Sequence, residues 1–336
     1  MTIWFKAELQ EMLAHKAQLS HALLVRGPRG IGKQAFGLAL AQGLLCEAPQ
    51  ADNTACGACN ACNWMTNNAH PDFRLLVPAT ESGLVAEAEE GAKKAKPSPW
   101  ISIEQVRELH DFINVSSHRG GRKIILICPA EALNVSAANA LLKNLEEPPA
   151  RTHFILISHR PHRLPRTIIS RCRQLSLRQP ERAVAVAWLA EQGVDNPEVA
   201  LAQASGAPLL ALEASAGDEL AGRHAFLAHI AAPDFDPLSV AETYRDLPLE
   251  HFINWLQKWT YDIAELRMLG TIRYNPDLAR ELAVIAKRVE VLALLRLHRK
   301  LVREQRNIHH PLNVRLYLES VLLAYAAVVN PLRKAA

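Results

Sequence analysis

The segment Gly27–Gln34, Gly-Pro-Arg-Gly-Ile-Gly-Lys-Gln, has the residue types and spacing of a phosphate-binding loop. Its glycines, Gly27, Gly30 and Gly32, allow backbone N–H groups to approach an anion, and the start of a following helix adds partial positive charge. Lys33 stands where the lysine of such a loop reaches the β- and γ-phosphates of a nucleotide. The segment therefore predicts a nucleotide-phosphate site, and a glycine-rich turn that binds nothing is the alternative.

The positions that hold Mg²⁺ in phosphate-loop ATPases carry unsuitable residues. Gln34 replaces the metal-binding Ser or Thr, and its longer side chain cannot sit where a compact hydroxyl lies. The apolar run Lys123–Ile127 ends in Cys128-Pro129 instead of the metal-binding Asp, and Glu131 is interpreted as a residue at the N-terminal end of a helix. The sequence predicts a degenerate Mg²⁺ site and no efficient ATP hydrolysis. ATP binding without turnover stays open because the glycines and the lysine are intact.

Four cysteines lie close together in the sequence, and two of the gaps between them are two residues long. They are Cys46, Cys56, Cys59 and Cys62. Four thiolates at such spacing suit tetrahedral Zn²⁺ and fill its coordination positions, so the predicted site is structural and ties together an insertion at residues 46–62. Four unrelated buried cysteines are the alternative. His70 is a candidate substitute for one ligand, although a solvated loop histidine is the favoured interpretation.

The elements that must position these residues alternate through the first half of the chain. Continuous apolar runs predict strands buried on both faces of a parallel sheet, at His21–Val25, Phe73–Val77, Lys123–Ile127 and His153–Ile157. Helical patterns lie between them, at Lys33–Leu45, Ser102–Asn114 and Asn134–Glu146. Ser102 and Gln105 have the spacing of a capping box at the start of one helix. This order predicts an α/β fold with a parallel sheet.

The second half of the chain is predicted to be helical, because strand patterns end near Arg173. Short helices are expected at Glu181–Gln192 and Pro197–Ala204. Two apolar stripes then repeat at intervals of three and four residues: Phe252, Leu256, Trp259, Ile263 and Leu266, and Val314, Leu318, Val321, Leu322 and Tyr325. Mutual packing in a helical bundle explains both stripes. The charged stretch 79–99 interrupts the first half and is predicted to be a mobile surface loop.

Composition excludes a disordered, fibrous or membrane-spanning chain. The 336 residues are 49% hydrophobic and 21% charged, which is ordinary for a globular protein of two or three domains. No apolar run approaches the ~20 residues that cross a bilayer, and the N-terminus lacks the pattern of a signal peptide, so a cytoplasmic protein is predicted. The net charge of +4 permits a nucleic-acid partner. Arg119, Arg122 and Lys123 are candidate phosphate contacts, but a solvated turn at Arg119-Gly-Gly-Arg122 is the favoured interpretation.

Several segments together carry a family resemblance. They are His21-Ala-Leu-Leu24, the four-cysteine insertion, His70-Pro-Asp72, Asn139-Ala-Leu-Leu-Lys-Asn-Leu-Glu-Glu-Pro-Pro149 and Ser170-Arg171-Cys172. On these segments the chain resembles the delta-prime family of clamp-loader subunits of bacterial DNA polymerase III, which are AAA+ proteins. The last two segments are highly specific to clamp-loader subunits. The resemblance covers residues 1 to about 210 closely and beyond that point rests on helical character and length.

The resemblance implies three domains: an AAA+ phosphate-loop domain at residues 1–172, a small helical lid at 173–207 and a helical collar at 208–336. The collar joins subunits into an open hetero-pentameric ring. The implied partners are the gamma/tau motor subunits, the clamp-opening delta subunit, the sliding clamp and primed DNA, without a membrane. The chain is then expected to belong to a DNA-directed DNA polymerase holoenzyme, a nucleotidyltransferase complex, at the nucleoid-associated replisome in the bacterial cytoplasm.

The resemblance also assigns a role to Arg171. In this family the arginine of Ser-Arg-Cys projects into the ATP site of the adjacent motor subunit, so Arg171 is implied to be an arginine finger acting in trans. A surface ion pair is the ordinary interpretation when the family is left aside. The motor relatives also have a lid arginine that senses the γ-phosphate, and Leu209 occupies the matching place here.

These features give one leading hypothesis and two competitors. The leading one is a non-hydrolysing clamp-loader subunit that helps load the sliding clamp onto primed DNA and lends Arg171 to a neighbouring ATPase. The enzyme alternative is an active ATPase motor subunit of the gamma/tau type, and ATP turnover by the isolated chain discriminates between the two. The third is a zinc-dependent nucleic-acid-binding module, which binding of primed DNA with a steep salt dependence would support.

Overall fold

A computed structural model describes residues 3–80, 98–115, 117, 121–306, 308 and 313–330. The chain divides into two compact units, Met1–Pro180 and Glu181–Ala336. The predicted charged loop at 79–99, apart from its ends, lies outside the described residues, and so does Arg119.

A five-stranded parallel sheet forms the centre of the first unit, with strand order β2-β3-β4-β1-β5. The strands are β1 (Ala22–Arg26), β2 (Phe73–Leu76), β3 (Lys123–Ile127), β4 (Thr152–Ser158) and β5 (Arg173–Ser176). The four strands predicted from apolar runs are confirmed within one residue at each end. Because every neighbouring pair is parallel, the carboxyl ends of all five strands meet at one edge of the sheet.

Strand β5 was missed by the sequence prediction and follows residue 172, the predicted end of the first domain. It pairs with β1, with Leu23 opposite Arg173 and Arg26 opposite Ser176. Three of its four residues are exposed, so it has no continuous apolar run to reveal it. The sheet therefore continues past residue 172, and the first compact unit extends to Pro180. The division of the chain into three domains stays a prediction.

Helices cover both faces of the sheet, which explains why its inner strands are continuously apolar. The helices of this unit are α1 (Lys6–Ala14), α2 (Lys33–Leu45), α3 (Asn60–Thr66), α4 (Ile103–Asn114), α5 (Val135–Glu146) and α6 (Arg166–Arg171). Ile125 and Ile127 of β3 join one core cluster with residues of α4, α5 and α6. Leu126, on the opposite face, lies directly beneath Gly37 of α2. The capping box at the start of α4 is confirmed, with the backbone N–H of Ser102 donating to Gln105 Oε1 at 2.9 Å.

The second unit is helical throughout its described residues, as the sequence predicts. Its helices are α7 (Arg182–Glu191), α8 (Pro197–Gln203), α9 (Pro208–Ser215), α10 (Glu219–Ala231), α11 (Pro237–Thr243), α12 (Leu249–Leu269), α13 (Ala279–Arg288), α14 (Val291–Glu304) and α15 (Val314–Val329). A small apolar cluster joins α7, α8 and α9 through Leu189, Leu201 and Ala211. Helix α9, predicted to begin the collar, thus packs with the two helices of the predicted lid. The division of this unit into a lid and a collar domain stays a prediction.

The two predicted apolar stripes pack against each other in the larger core of this unit. Phe252, Leu256 and Ile263 of α12 and Leu322 of α15 are fully buried, and the indole N–H of Trp259 donates to the Tyr325 hydroxyl at 2.8 Å. The predicted bundle packing is confirmed. In the parts of the chain that the structure describes, no helix is both long enough and apolar enough to cross a membrane.

A buried polar network fastens α12 to its surroundings. The Asp262 carboxylate accepts hydrogen bonds from the backbone N–H groups of Arg273 and Tyr274 at 3.0 and 3.1 Å and from that of Asn275 at 2.7 Å. The Asn275 side-chain amide also donates to Asp262, at 2.8 Å. Because Asp262 is fully buried, these bonds replace the hydration of the carboxylate.

The same network extends from the 273–275 loop to α8. The Gln203 side-chain amide donates to the Tyr274 carbonyl at 2.7 Å and to Asn275 Oδ1 at 3.0 Å. Lys258 of α12 donates to the Gln203 carbonyl at 2.8 Å. Burial lowers the pKa of Lys258 to about 8.

Replacing Asp262 with Ala leaves buried N–H groups without an acceptor. We expect the free energy of unfolding of the second unit to fall by about 3–5 kcal/mol. Asp246→Ala is the matched control, because the Asp246 side chain is 94% exposed, and a change within about 0.5 kcal/mol is expected. Urea unfolding of the full chain measures both, and equal effects of the two substitutions would contradict the role assigned to the network.

Candidate functional site

The phosphate loop leaves β1 and enters α2, as predicted. Gly27 directly follows β1, and its backbone N–H donates to the Ser158 carbonyl at 3.3 Å. Gly30 and Gly32 have φ of 75° and 95°, the left-handed conformation that glycine adopts without a steric cost. The indole N–H of Trp4 donates to the Ile31 carbonyl at 2.8 Å, a contact that no sequence pattern signalled. The loop therefore presents its backbone at the start of a helix, the arrangement suited to binding an anion.

Lys33 is the first residue of α2, and only 2% of it is exposed. Its ammonium donates to the Pro28 carbonyl within the same loop. Burial lowers the pKa of Lys33 to about 8, an effect that nearby Cys128 and Glu131 partly oppose. Gln34, the next residue, is exposed to solvent.

The carboxyl ends of β3 and β4 lie beside this lysine and lack paired metal-binding carboxylates. Cys128 is buried at the end of β3. Glu131 lies in the first turn of a short 3-10 helix, Ala130–Ala132, which is the N-terminal helix position predicted for it. Its Oε1 also accepts hydrogen bonds at 2.9 Å from the backbone N–H groups of His159 and Arg160, a contact across two strand ends that sequence spacing cannot show. One carboxylate oxygen is thus committed to backbone amides, and the degenerate Mg²⁺ site stays a prediction.

Three polar atoms around Glu131 are buried without a hydrogen-bond partner among the described residues: Glu131 Oε2, Ser158 Oγ and His159 Nδ1. Burial, with a smaller effect of the Lys33 charge, lowers the pKa of His159 to about 4. His159 is therefore neutral at neutral pH. Sequence reasoning missed Ser158 and His159, and their positions at the end of an apolar strand were the available signal.

Lys33→Met removes a buried ammonium while keeping a similar side-chain length. We expect the free energy of unfolding to rise by about 1–3 kcal/mol at neutral pH. The pKa of Lys33 is lowered from 10.5 to about 8 in the folded chain, so only the unfolded chain binds this proton between those pH values. The wild type therefore regains stability relative to the variant as the pH rises from about 8 to 10.5.

Urea unfolding of both proteins on either side of pH 8 measures this difference. Lys143→Met, at an exposed position on α5, is the matched control and should shift stability by less than about 0.5 kcal/mol at every pH. A stability gain for Lys33→Met that is independent of pH would contradict the assignment to the ammonium.

The four predicted zinc ligands converge. The Sγ atoms of the cluster Cys46, Cys56, Cys59 and Cys62 all lie within 4.8 Å of one another. Cys46 Sγ is 3.9 Å from Cys59 Sγ, and Cys56 Sγ is 4.0 Å from Cys62 Sγ. A tetrahedral zinc ion with Zn–S bonds of about 2.3 Å requires sulfur atoms about 3.8 Å apart, so the cluster fits this metal.

Asp52 ties the cysteine insertion to the rest of the first unit. Its Oδ2 accepts a hydrogen bond from the Gln10 side chain of α1 at 2.9 Å, and its Oδ1 accepts one from the Thr54 backbone N–H at 3.1 Å.

His70 lies outside the cysteine cluster and is buried, which corrects both predicted alternatives, a zinc ligand and a solvated loop histidine. Its ring packs edge-on against Trp64 and accepts a hydrogen bond from the Asp72 backbone N–H at 3.0 Å.

We expect the purified chain to contain about one zinc ion, held by the four thiolates. Cys59→Ser combined with Cys62→Ser should abolish zinc content and lower the Tm by roughly 5 °C or more, because a structural metal contributes to folding. Atomic absorption and thermal unfolding measure the two effects. Cys172→Ser is the control and should retain zinc, since Cys172 lies outside the cluster and burial raises its pKa to about 11. Zinc retained by the double variant would refute the ligand assignment.

Arg171 is the last residue of α6, and the structure places it in an ion pair. Its Nη2 lies 2.6 Å from Glu146 Oε1, at the end of α5. Its Nη1 donates to the Thr167 carbonyl at 3.0 Å. The Arg171 side chain is one-third exposed. Among the described residues, no hydrogen bond joins its guanidinium to the phosphate loop of the same chain.

The basic residues near β3 have partners within the chain. Arg122 donates to the Lys16 carbonyl at 2.9 Å. Lys123 is buried, and its ammonium donates to the carbonyls of Phe112 and Val115 at the C-terminal end of α4. Lysine at a helix C-terminus stabilises the unpaired carbonyls there, so Lys123 serves the fold.

Comparisons with known proteins agree with this arrangement. A family model described as DNA polymerase III, delta subunit, matches residues 5–181, and one described as DNA polymerase III, delta subunit, C terminal, matches residues 218–326. The chain is 34% identical to DNA polymerase III subunit delta' of Pseudomonas aeruginosa, over 98% of each chain. It is 32% identical to the subunit delta' of Escherichia coli, over 75% of this chain and 73% of that protein.

A solved structure of a DNA polymerase III gamma subunit-related protein from Thermotoga maritima can be superposed with a TM-score of 0.42 and 19% identity. The superposition covers 96% of this chain and 100% of that chain.

The parallel sheet, its phosphate loop and the helical second unit define an AAA+ type of α/β protein, as predicted. The chain belongs to the family of DNA polymerase III delta-prime subunits.

Proposed function

We propose that this chain is a non-hydrolysing clamp-loader subunit of the DNA polymerase III holoenzyme, which helps load the sliding clamp onto primed DNA. Membership of the delta-prime family over nearly the whole chain supports this role. The absence of hydrolysis is inferred from the residues around the phosphate loop. The backbone and the lysine of the loop are intact, but the end of the neighbouring strand β3 provides a thiol where a motor subunit needs a metal-binding carboxylate.

Three local features oppose phosphoryl transfer at this loop. Gln34 is exposed and replaces the hydroxyl that binds Mg²⁺, and Cys128 is buried and offers a thiol in place of a carboxylate. Glu131 is close to Lys33 but uses one carboxylate oxygen to hold the loop after β4. Because catalysis of phosphoryl transfer depends mainly on positioning and on charge neutralisation by Mg²⁺, we infer that ATP turnover here is negligible. Binding of ATP without turnover is compatible with the intact glycines and Lys33.

Arg171 is the residue through which the chain acts on a neighbour in this proposal. It is partly exposed at the end of α6, and its guanidinium belongs to the Ser-Arg-Cys segment that carries the family resemblance. An arginine supplied in trans stabilises the charge on the transferring phosphoryl group and raises the rate of other NTPases by ~10³–10⁵. Arg171 would supply this charge to the ATP site of the adjacent motor subunit.

The proposed partners are the gamma/tau motor subunits and the delta subunit in a hetero-pentameric ring, with the sliding clamp and primed DNA, in the cytoplasm at the replisome. The predicted collar helices offer a surface for such a ring. Exposed apolar side chains recur on α14 and α15, at Leu292, Leu295, Val302, Leu316 and Leu323. Apolar side chains exposed on neighbouring helices are typical of a surface that packs against another protein.

The Arg171→Ala substitution tests the proposal. In a loader reconstituted with its motor and clamp-opening subunits, we expect ATP turnover stimulated by DNA and clamp to fall at least roughly tenfold, because the neighbouring active site loses a transition-state charge. A steady-state ATPase assay measures turnover, and sedimentation verifies that both rings assemble equally. Arg182→Ala, which breaks an exposed 3.4 Å ion pair with Glu198 in the second unit, is the matched control and should leave turnover unchanged.

Unchanged turnover of Arg171→Ala would exclude the trans arginine. The alternative of an active gamma/tau-type motor is favoured only by the intact Gly30, Gly32 and Lys33, and ATP turnover by the isolated chain would support it. Under the proposal, the isolated chain has no turnover, and creating it requires at least Gln34→Thr together with Cys128→Asp.

A further inference from the structure

The contacts of Arg171 involve more than its own helix. Glu146 is the last residue of α5, and Arg171 is the last residue of α6. Glu146 Oε1 lies 2.6 Å from Arg171 Nη2, while the Thr167 carbonyl accepts from Nη1 at 3.0 Å and Ser170 Oγ lies 3.4 Å from Nη1. One carboxylate from a different helix therefore holds the guanidinium together with two groups of α6.

Both partners of this ion pair are anchored in the core of the first unit. Leu145, directly before Glu146, and Ile168, one turn before Arg171, are buried in the same apolar cluster. Cys172, directly after Arg171, belongs to that cluster too. The two side chains thus project from rigid positions, and their separation is fixed by the packing of α5 against α6.

The orientation of the guanidinium follows from which of its atoms are engaged. Glu146 and Thr167 contact the terminal nitrogens Nη2 and Nη1, and each of these nitrogens carries a second N–H group. A guanidinium binds phosphate through two parallel N–H groups. Because an arginine side chain loses rotamer freedom when it is fixed, ordering it in the free subunit lowers the entropic cost of binding phosphate later.

We propose that Glu146 is a positioning residue for Arg171: the ion pair holds the guanidinium at the end of α6 so that a phosphoryl group of the adjacent subunit meets an ordered donor. This inference rests on the proposed role of Arg171 in trans. Glu146 does not touch the nucleotide in this arrangement and acts only through the arginine. The Arg171 and Glu146 side chains are 34% and 49% exposed, so solvent screens the pair and its effect is modest.

Glu146→Gln in the reconstituted loader tests the inference, because Gln keeps the length of the side chain and removes its charge. We expect DNA- and clamp-stimulated turnover to fall by about twofold to fivefold, with the KM for ATP unchanged. Glu147→Gln removes the same charge one residue farther on, at an exposed position, and should leave turnover as in the wild type. Ring assembly of each variant is verified by sedimentation.

A double-mutant cycle separates positioning from a general structural effect. In the Arg171→Ala background, Glu146→Gln should cause no further loss, since its effect passes through the arginine. A further loss in that background would overturn the inference, and so would turnover equal to or above the wild type in Glu146→Gln alone, the result expected if the carboxylate competes with phosphate. In these cases the proposed function stands as long as Arg171→Ala lowers turnover. Unchanged turnover of Arg171→Ala would instead overturn the proposed function itself.

Discussion

Parallel pairing of β1, β3 and β4, with both faces of these strands buried, is the constraint on which the candidate site depends. The pairing brings the carboxyl ends of the strands to one edge, and the residues that follow each strand meet there. The phosphate loop follows β1, Cys128 follows β3, and His159 follows β4. The central residues of these strands are apolar and buried, so most of the chemical variety lies in the loops after them.

The apolar parts of the fold could be predicted from the sequence because their patterns have a single physical explanation. Strands buried on both faces and helices with one apolar stripe are fixed by burial, and the capping box of α4 is fixed by two polar residues at a short spacing. Strand β5 could not be found in this way. Its residues are mostly exposed, and only its hydrogen bonds to β1 define it as a strand.

Candidate site residues could be predicted where the residues that come together are also close in sequence. The phosphate loop and the four cysteines are local in sequence, so spacing alone predicts that they converge. Glu131 contacts His159 and Arg160, which are distant in sequence, and Lys123 contacts the carbonyls at the end of α4. His70 is buried, although its local sequence is typical of a loop. When the hydrogen-bond partner of a polar side chain is distant in sequence, a local pattern does not reveal that partner and predicts a solvated side chain.

The link from α8 to α12 has a mechanical consequence. The Lys258 ammonium and the Gln203 amide join these helices and the 273–275 loop, and Asp262 fastens that loop back to α12. Gln203, Asp262 and Asn275 are buried, so bending the chain between the two helices would leave buried donors and a carboxylate without partners, at a large energetic cost. We therefore expect α8 and α12 to move together as one rigid body.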